Sequence, residues 1–579
     1  MAKQEYDVCV IGGGPSGTTC GTLLRKYDPS LRVLILEREK FPREHVGESQ
    51  LPPVCHVLDE MGCWEKVEAA DFPIKIGVTY RWGIMSDLWD FDFLAGEPFK
   101  ESPRPAKFKG QRKQTAFQVE RAIYDDILLR HAAECGCEVR ERAKVVEVSR
   151  EGDRVTGLRT ESGETITARY YVDATGTSAI LRRAMGIEVD APPALRNIAI
   201  WDYWDNAEWA VTVGIGGTRV IVLSLGYGWV WFIPIGPSRA SIGLVTAAEY
   251  YRGTGLSPDA IYAKALEDEP TVRKLIRNAK REGQVRTTKD WSYLADRMAG
   301  ENWFLAGESA GFADPILAAG LTLSQTGARE VAYTILALDA NEHDPEWLKC
   351  AYEDNQKQRI GQHIRFANFW YTANGQFRDL QEYTTEIAKD AGLELEPERA
   401  FMWLGTGGFT HDNPALASLG VFSLGAVKAF TEMFLGGKGE WEINKYNTFS
   451  INLRGAEQDT IPVYEDGKVR AVKCYRRDAK ALPAHGLYKL LIDVLLHTDR
   501  AQYILVNLRK YFEDKRSYSN PEEGVAHALE VLESMVRQGW VIGKSQGKHP
   551  NLEFTIRKDH GGIRWTTDLD APLPAANEP

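Results

Sequence analysis

The stretch YDVCVIGGGPSGTTCGTLLRKYDPSLRVLILE, residues 6–37, decides the fold. Its first six residues form an apolar run of the kind that makes a strand buried on both faces of a parallel sheet. After the glycines, Thr18 to Tyr27 reads as a helix and Arg32 to Leu36 as a second strand, which makes a βαβ unit. Gly12, Gly14 and Gly17 fit G-x-G-x-x-G. The first glycine lets the chain turn tightly, the second lets backbone approach a pyrophosphate, and the third lets helix pack on strand. The helix that follows offers free N–H groups and a positive dipole end to phosphates, with Ser16, in the turn before it, as a further cofactor-binding candidate. Glu37 closes the second strand, where a carboxylate can accept from a ribose diol. This is a dinucleotide-binding start, and the motif alone does not separate FAD from NAD.

Composition narrows the field. The chain has 579 residues and a net charge of −11, with a pI near 5.7. An acidic chain is a poor general nucleic-acid binder, because phosphate affinity needs clustered Lys and Arg. Eight cysteines are scattered without a CxxC pair or zinc spacing, so no metal site is expected and free thiols in a reducing cytoplasm are. The N-terminus shows no signal-peptide pattern, and Ala417 to Gly437, the most apolar window, is interrupted by Lys428 and Glu432. No membrane partner is expected.

Beyond the βαβ unit, Gln118 to Cys135 has a long helical pattern, and Glu138 to Arg150 with Arg154 to Thr160 reads as a hairpin. Residues 197 to 246 carry VTVGIGG, RVIVLSL, GWVWFIPIG and ASIGLV, joined by glycine turns, which reads as an antiparallel meander able to floor a ligand. Helical spacing returns in 485–512 and 524–540. The expected class is therefore α/β: a Rossmann-like core over residues 1–365 with an antiparallel sheet at about 196–247, then a mostly helical domain over 366–579. Aromatics crowd the first segment of that domain (Phe366, Phe369, Trp370, Tyr371, Phe377). The domain is expected to cover a substrate entrance.

Two later segments resemble the hydroxylase-type flavoproteins and select FAD. VDATG, residues 172–176, is similar to the strand-end motif that closes over FAD, which brings in Asp173. LAGESAGFADPILAAG, residues 305–320, resembles the family's second FAD motif, with Glu308 in place of its usual aspartate at the flavin hydroxyls, and with Asp314 before the proline. Arg121, opening QVERAIYDDILLRHA, matches the family's arginine near the phosphates.

Further segments resemble flavin-dependent halogenases, in particular the chloramphenicol and chondrochloren group. WVWFIP, residues 229–234, matches W-x-W-x-I-P. Alternation in a strand puts Trp229 and Trp231 on one face, where a double-tryptophan wall would keep substrate off the flavin. FPIKIGVTYRWG, residues 72–83, resembles K-x-G-x-x-x-x-W-G, whose lysine is catalytic, so Lys75 is implied to deliver hypohalous acid (HOX). HVGES, residues 45–49, matches the group's segment in which the glutamate, here Glu48, sits near that lysine. The resemblance implies halide held by the backbone N–H groups of Ala319 and Gly320, although Ala318 and Ala319 stand where the family often has hydroxyl residues. KDWSY, residues 289–293, resembles the segment with a covalent aspartyl–flavin link, which points to Asp290.

The leading expectation is a halogenase using FADH2, O2 and chloride or bromide. A separate flavin reductase would supply FADH2, and the substrate would be a small molecule or an acyl group on a carrier protein. Two rivals stand beside it: an FAD-dependent monooxygenase or geranylgeranyl-reductase-like enzyme, which Ala318 and Ala319 favour, and a non-catalytic flavin-binding scaffold.

Overall fold

The computed structural model describes residues 6–81, 88–94, 99–100, 103–192, 195–212, 216–375, 441–477, 480–515, 521–547, 549–554 and 563–566. The chain divides into two compact units. The first comprises Met1–Leu380 with Tyr464–Val469 and Arg564–Pro579; the second comprises Gln381–Val463 and Arg470–Ile563.

The first unit carries the βαβ start as read. Tyr6–Ile11 is the middle strand of a five-stranded sheet in the order Trp303–Leu305, Ala168–Asp173, Tyr6–Ile11, Val33–Leu36, Glu138–Arg140, and every pairing is parallel. Val8, Cys9 and Val10 are wholly buried, as strands covered on both faces must be. The first helix, Pro15–Tyr27, opens at the glycines with proline in its first turn, where a missing N–H costs nothing. The long pattern after Gln118 forms Arg121–Glu134. The expected Glu138–Arg150 strand is broken: Glu138–Arg140 joins the parallel sheet, and only Val145–Glu151 pairs with Arg154–Thr160. Arg142, at φ 58°, turns the chain between them.

A second, mixed sheet places Arg196–Asp205, Arg239–Ala247, Gly228–Pro234, Gly217–Leu225, Ile74–Arg81 and Leu88–Asp92 side by side. Three of these strands form the expected meander. The fourth, Arg196–Asp205, pairs with the last of them rather than the next in sequence. Part of the VTVGIGG run lies outside the described residues. One face of this sheet is a dry core of Ile200, Ile221, Leu223, Phe232, Ile242 and Leu244 under helices Pro258–Asp268 and Pro270–Leu275. The other face carries Trp201, Trp229 and Trp231.

In the second unit, the single periodic run 485–512 becomes two helices, Gly486–His497 and Ala501–Lys515, followed by Pro521–Arg537. Strands Thr448–Ile451 and Val541–Lys544 pair beside them, so the described part is mixed where the sequence reads mainly as helix. Short strands with few apolar residues leave little periodicity to read. Ala417 to Gly437 and Phe377 lie outside the described residues.

Candidate active site

The glycine loop is built as a cradle. Gly12, at φ 110°, has the carbonyl of Ala174 only 2.3 Å from where a Cβ would stand, and at Gly17 the Gly12 carbonyl would be 1.9 Å away. Both positions are closed by the chain itself. Gly14 differs: its Cβ would meet only the tip of Arg43, at 3.4 Å. That open side is where a pyrophosphate fits. Glu37 anchors the loop, accepting the Gly13 N–H at 2.7 Å and the Glu39 N–H at 2.8 Å. Ser16 Oγ, on the first turn of the helix, is buried without a hydrogen-bond partner.

Two expected contacts turn out to have other work. Arg121 forms a bidentate pair with Asp125 at 2.7 and 2.8 Å and donates to the carbonyls of Val46 and Gly47. Its guanidinium is spent on holding the HVGES segment. Arg43 takes the position beside Gly14: Nη1 lies 3.4 Å from Asp125 yet has no hydrogen bond. Asp173 is also occupied. One carboxylate oxygen takes the Thr175 N–H and hydroxyl, the other the Leu181 and Arg182 N–H groups. It fixes the Ala174–Gly176 turn against Gly12 and has no capacity left for a ligand. Glu308, by contrast, has no bond to its carboxylate, which sits 3.7 Å from a Cβ placed on Gly176, and burial raises its pKa. An open glycine, a free serine hydroxyl, an unbonded guanidinium nitrogen and an unbonded carboxylate fit the phosphates and hydroxyls of a dinucleotide cofactor.

The mixed sheet supplies the wall. Register aligns Tyr80, Val222, Trp231, Gly243 and Trp201 in one row across five strands. The Trp231 ring lies over Gly243, where any Cβ would stand 2.1 Å from it, and its indole N–H donates to Ser241 Oγ. Trp229, two residues back on the same face, is buried with its ring centroid 6.0 Å from that of Trp231. Its N–H donates to Tyr371 at 2.7 Å, and the Tyr371 hydroxyl donates to Asp314 at 3.2 Å. Asp314 also caps Ile316, and burial pushes its pKa up to about 7. Tyr80 donates to the Ile316 carbonyl at 3.1 Å. The tryptophan face is thereby bonded to the DPIL segment. Asp290 sits in strand Arg286–Trp291, opposite Asn197 at the edge of this sheet, rather than in a loop.

Glu48 also faces this side. It accepts from the Tyr203 hydroxyl at 3.0 Å and from the Gly47 N–H at 3.2 Å, and burial raises its pKa. Arg239 and Arg286 lie over the Tyr203 ring at 4.1 and 4.8 Å. The expected contact between Glu48 and Lys75 is absent. Lys75 is 0% exposed, its Nζ has no hydrogen-bond partner, and its near neighbour is the Phe93 ring at 5.5 Å. Burial alone pushes its pKa down to about 7. The wet strand face that alternation would allow at Lys75 does not exist, because both faces of Ile74–Arg81 are covered. Trp82 lies outside the described residues.

At the DPILAAG segment, Ala318 adopts φ 52° and Ala319 caps the 21-residue helix Gly320–Ala340. The first N–H groups of a helix lack intrahelical partners and favour anions. Among the described residues nothing lies within 4 Å of where a Cβ on Gly320 would stand, and Thr322 Oγ1, in the same turn, is buried and unpartnered.

Residues 5–367 match the family model for the FAD binding domain. The chain is 30% identical over 439 residues to the flavin-dependent halogenase armH1 of Armillaria mellea, covering 70% of this chain and 77% of that one. This chain belongs to the flavin-dependent halogenases. It is 32% identical to a tryptophan 2-halogenase of Chondromyces crocatus over 62% of its own length, and spans 66% of that relative, just under two thirds. It is 28% identical to a 1H-pyrrole-2-carbonyl-(peptidyl-carrier protein) chlorinase of Pseudomonas fluorescens, covering 65% of this chain and 85% of that one. Among solved structures, the flavin-dependent halogenase CmlS superposes with a TM-score of 0.69 at 22% identity, over 97% of this chain and all of that one, a likeness of fold. As a halogenase of this family the chain uses FAD, and the residues left open around Gly14, Ser16, Arg43 and Glu308 are the ones that would hold it. Among the described residues no helix is long and apolar enough to cross a membrane.

Sequence reading missed Arg43 and Tyr203, and named Tyr371 only as one of a group of aromatics, without its bonds to Trp229 and Asp314. Their partners lie far along the chain, and only the proximity of Arg43 to the HVGES segment could have drawn attention to it.

Proposed function

We propose that this halogenase makes HOX from chloride or bromide and delivers it through Lys75 to an organic substrate presented on a carrier protein. The observation that carries the reading is Lys75: a fully buried amine with no partner and a pKa near 7. A buried lysine without a counter-charge is costly and is kept for chemistry more often than for stability. When bound and reduced, FAD supplies oxygen activation, which in the presence of halide yields HOX. The chain's own residues do the rest. The Ala319 and Gly320 N–H groups hold halide at the helix N-terminus, while Trp229 and Trp231 keep the substrate from the flavin. Lys75 holds HOX by a hydrogen bond from its ammonium. At the substrate a C–H becomes C–X, and the hydroxide of HOX leaves with the released proton as water. Glu48, tied to Tyr203 on the tryptophan side, exchanges protons there and not at Lys75. The carrier-bound substrate is supported by the pyrrolyl-carrier name of one relative, and the need for a separate flavin reductase by the absence of a second nucleotide motif in the sequence.

The test incubates the protein with a flavin reductase, NADH and bromide, offering candidate substrates free and on carrier proteins, with detection by mass spectrometry. A mass shift carrying the bromine isotope pair supports the proposal. Hydroxylated product, or peroxide alone, overturns it.

A further inference from the structure

Two polar side chains near the lysine, Ser49 and Gln118, have no assigned task. Ala116 pairs with Lys75 and Phe117 with Ile74. Ser49 bridges to Gln118 in antiparallel fashion. Around that bridge, Gln50 N–H donates to the Phe117 carbonyl at 3.1 Å, Val119 N–H to Glu48 at 2.7 Å, and Gln118 N–H to Pro73 at 3.0 Å. The segments 48–50, 116–118 and 73–75 are therefore three neighbouring strips of one small ladder. Directly opposed residues in such a ladder share a face, and so do residues two apart. Lys75, Ala116, Gln118 and Ser49 fall on one face, and Ile74, Phe117, Glu48 and Gln50 on the other. This separation accounts for the missing contact between Glu48 and Lys75.

The shared face is buried and unsatisfied. Lys75 and Gln118 are 0% exposed and Ser49 7%. Lys75 Nζ, both amide atoms of Gln118 and Ser49 Oγ all lack a hydrogen-bond partner. Each buried polar atom left unpaired costs about 1–3 kcal/mol, so four on one face mark a place that is filled when the protein works. Diagonal neighbours such as Lys75 and Gln118 stand roughly 7–8 Å apart at the backbone, and the small Ala116 between them leaves room for a few atoms.

We infer that Gln118 and Ser49 complete, with Lys75, a pocket that holds hypohalous acid. The inference rests on the reading of Lys75 proposed above. The donor and acceptor set selects the ligand. A bare halide only accepts hydrogen bonds and would leave the Gln118 carbonyl oxygen unpaired. HOX has one O–H to donate to that oxygen, and lone pairs to accept from the lysine ammonium, the glutamine NH2 and the serine hydroxyl. Gln118 and Ser49 act by positioning: no bond of the substrate is made or broken on them.

The test uses the full FAD-loaded chain, turning over with reduced flavin, oxygen and chloride, with monochlorodimedone as the trap for free HOX. The readout is the fraction of oxygen consumed that appears as trapped chlorine. Wild type is expected to retain its HOX, whereas Gln118→Leu and Ser49→Ala leak at least about fivefold more at unchanged FAD binding. Gln118→Glu places a carboxylate beside the amine and keeps it protonated to higher pH, so the pH at which leakage begins should rise by about one unit or more. Leakage from Gln118→Leu without that rise in Gln118→Glu makes Gln118 a packing residue and overturns the inference. If the variants retain HOX as wild type does, the pocket reading alone fails. If wild type makes only peroxide, with neither HOX nor halogenated product, the proposed function fails and the pocket with it.

Discussion

Replacing Lys75 with methionine should make the protein more stable and less useful. The amine ordinarily titrates at 10.5 and is held near 7 by burial with nothing to compensate it. One pH unit is worth about 1.4 kcal/mol, so the protonated lysine costs the folded state up to about 5 kcal/mol. The sign follows from proton counting. Between pH 7 and 10.5 the unfolded chain holds a proton that the folded chain has lost, so wild-type stability rises with pH across that window, and the cost is present in full below it. Methionine has a similar shape and no charge, and should recover much of this penalty, about 2–4 kcal/mol at pH 7. In a unit of this size that is a rise of several degrees in Tm. Thermal unfolding of the FAD-loaded proteins by circular dichroism at pH 7 and pH 10 measures it, and the gap between variant and wild type should shrink at the higher pH. Oxygen consumption should continue while halogenated product disappears. A variant less stable than wild type at pH 7, or a gap that does not change with pH, would mean that the amine has a partner in the folded protein, and the argument from an uncompensated buried amine would fall.

Gly14→Val should leave the flavin-free fold within about 0.5 kcal/mol of wild type, since only the Arg43 tip is near; FAD titration should nonetheless show binding lost, and normal affinity would remove the pyrophosphate from this position. Gly243→Ala should drive the Trp231 ring from its place, costing about 1–3 kcal/mol and lowering halogenated product at retained flavin; product yield equal to wild type would show the wall to be dispensable. Asp173→Asn puts an NH2 against backbone donors, and should destabilise by about 1–3 kcal/mol in urea unfolding while weakening FAD; an unchanged midpoint would contradict the capping role. If Asp290 carries the flavin covalently, yellow colour stays with acid-precipitated protein, and colour wholly in the supernatant rejects the link.

The cofactor half of the site is legible in the sequence because its logic is local. A strand, three spaced glycines and an acid at the next strand end lie within residues 6–37, and the structure builds them as written. The protein partners of two expected cofactor residues also had a local sign. Arg121 and Asp125 are four apart on a helix, the spacing of an ion pair, and that pairing leaves the guanidinium turned inward to the HVGES segment. Asp173 precedes Thr175 by two, an arrangement in which an aspartate bonds its own turn. Both readings compete with the ligand contacts suggested by resemblance, and in both the short-range bond wins because it forms without any partner from outside.

The half of the site proposed for delivery is not local, and that is why a sequence motif could name Lys75 but not its surroundings. Tyr203 meets Glu48 across 155 residues and Tyr371 meets Trp229 across 142. Gln118 stands next to Lys75 only because 116–117 returns to pair with 74–75, and Ser49 only because 48–50 runs along the far side of 117–119. Period-2 alternation on a single strand separates two faces, but at Lys75 it is interrupted, because the register with Gly217–Leu225 slips between Lys75 and Gly77. It cannot say which face is wet, and here neither is. The register of three short strips settles what the strand alone leaves open: the carboxylate the family places near the lysine is on the opposite side of the ladder, and an amide and a hydroxyl are on the lysine's own side. A neutral polar neighbourhood suits the task better than a carboxylate would. Glu48 beside Lys75 would pair with the ammonium, raise its pKa and occupy the hydrogen bonds that an incoming HOX needs. Keeping the amine unpaired costs stability, and under the proposed delivery it keeps those bonds free for HOX.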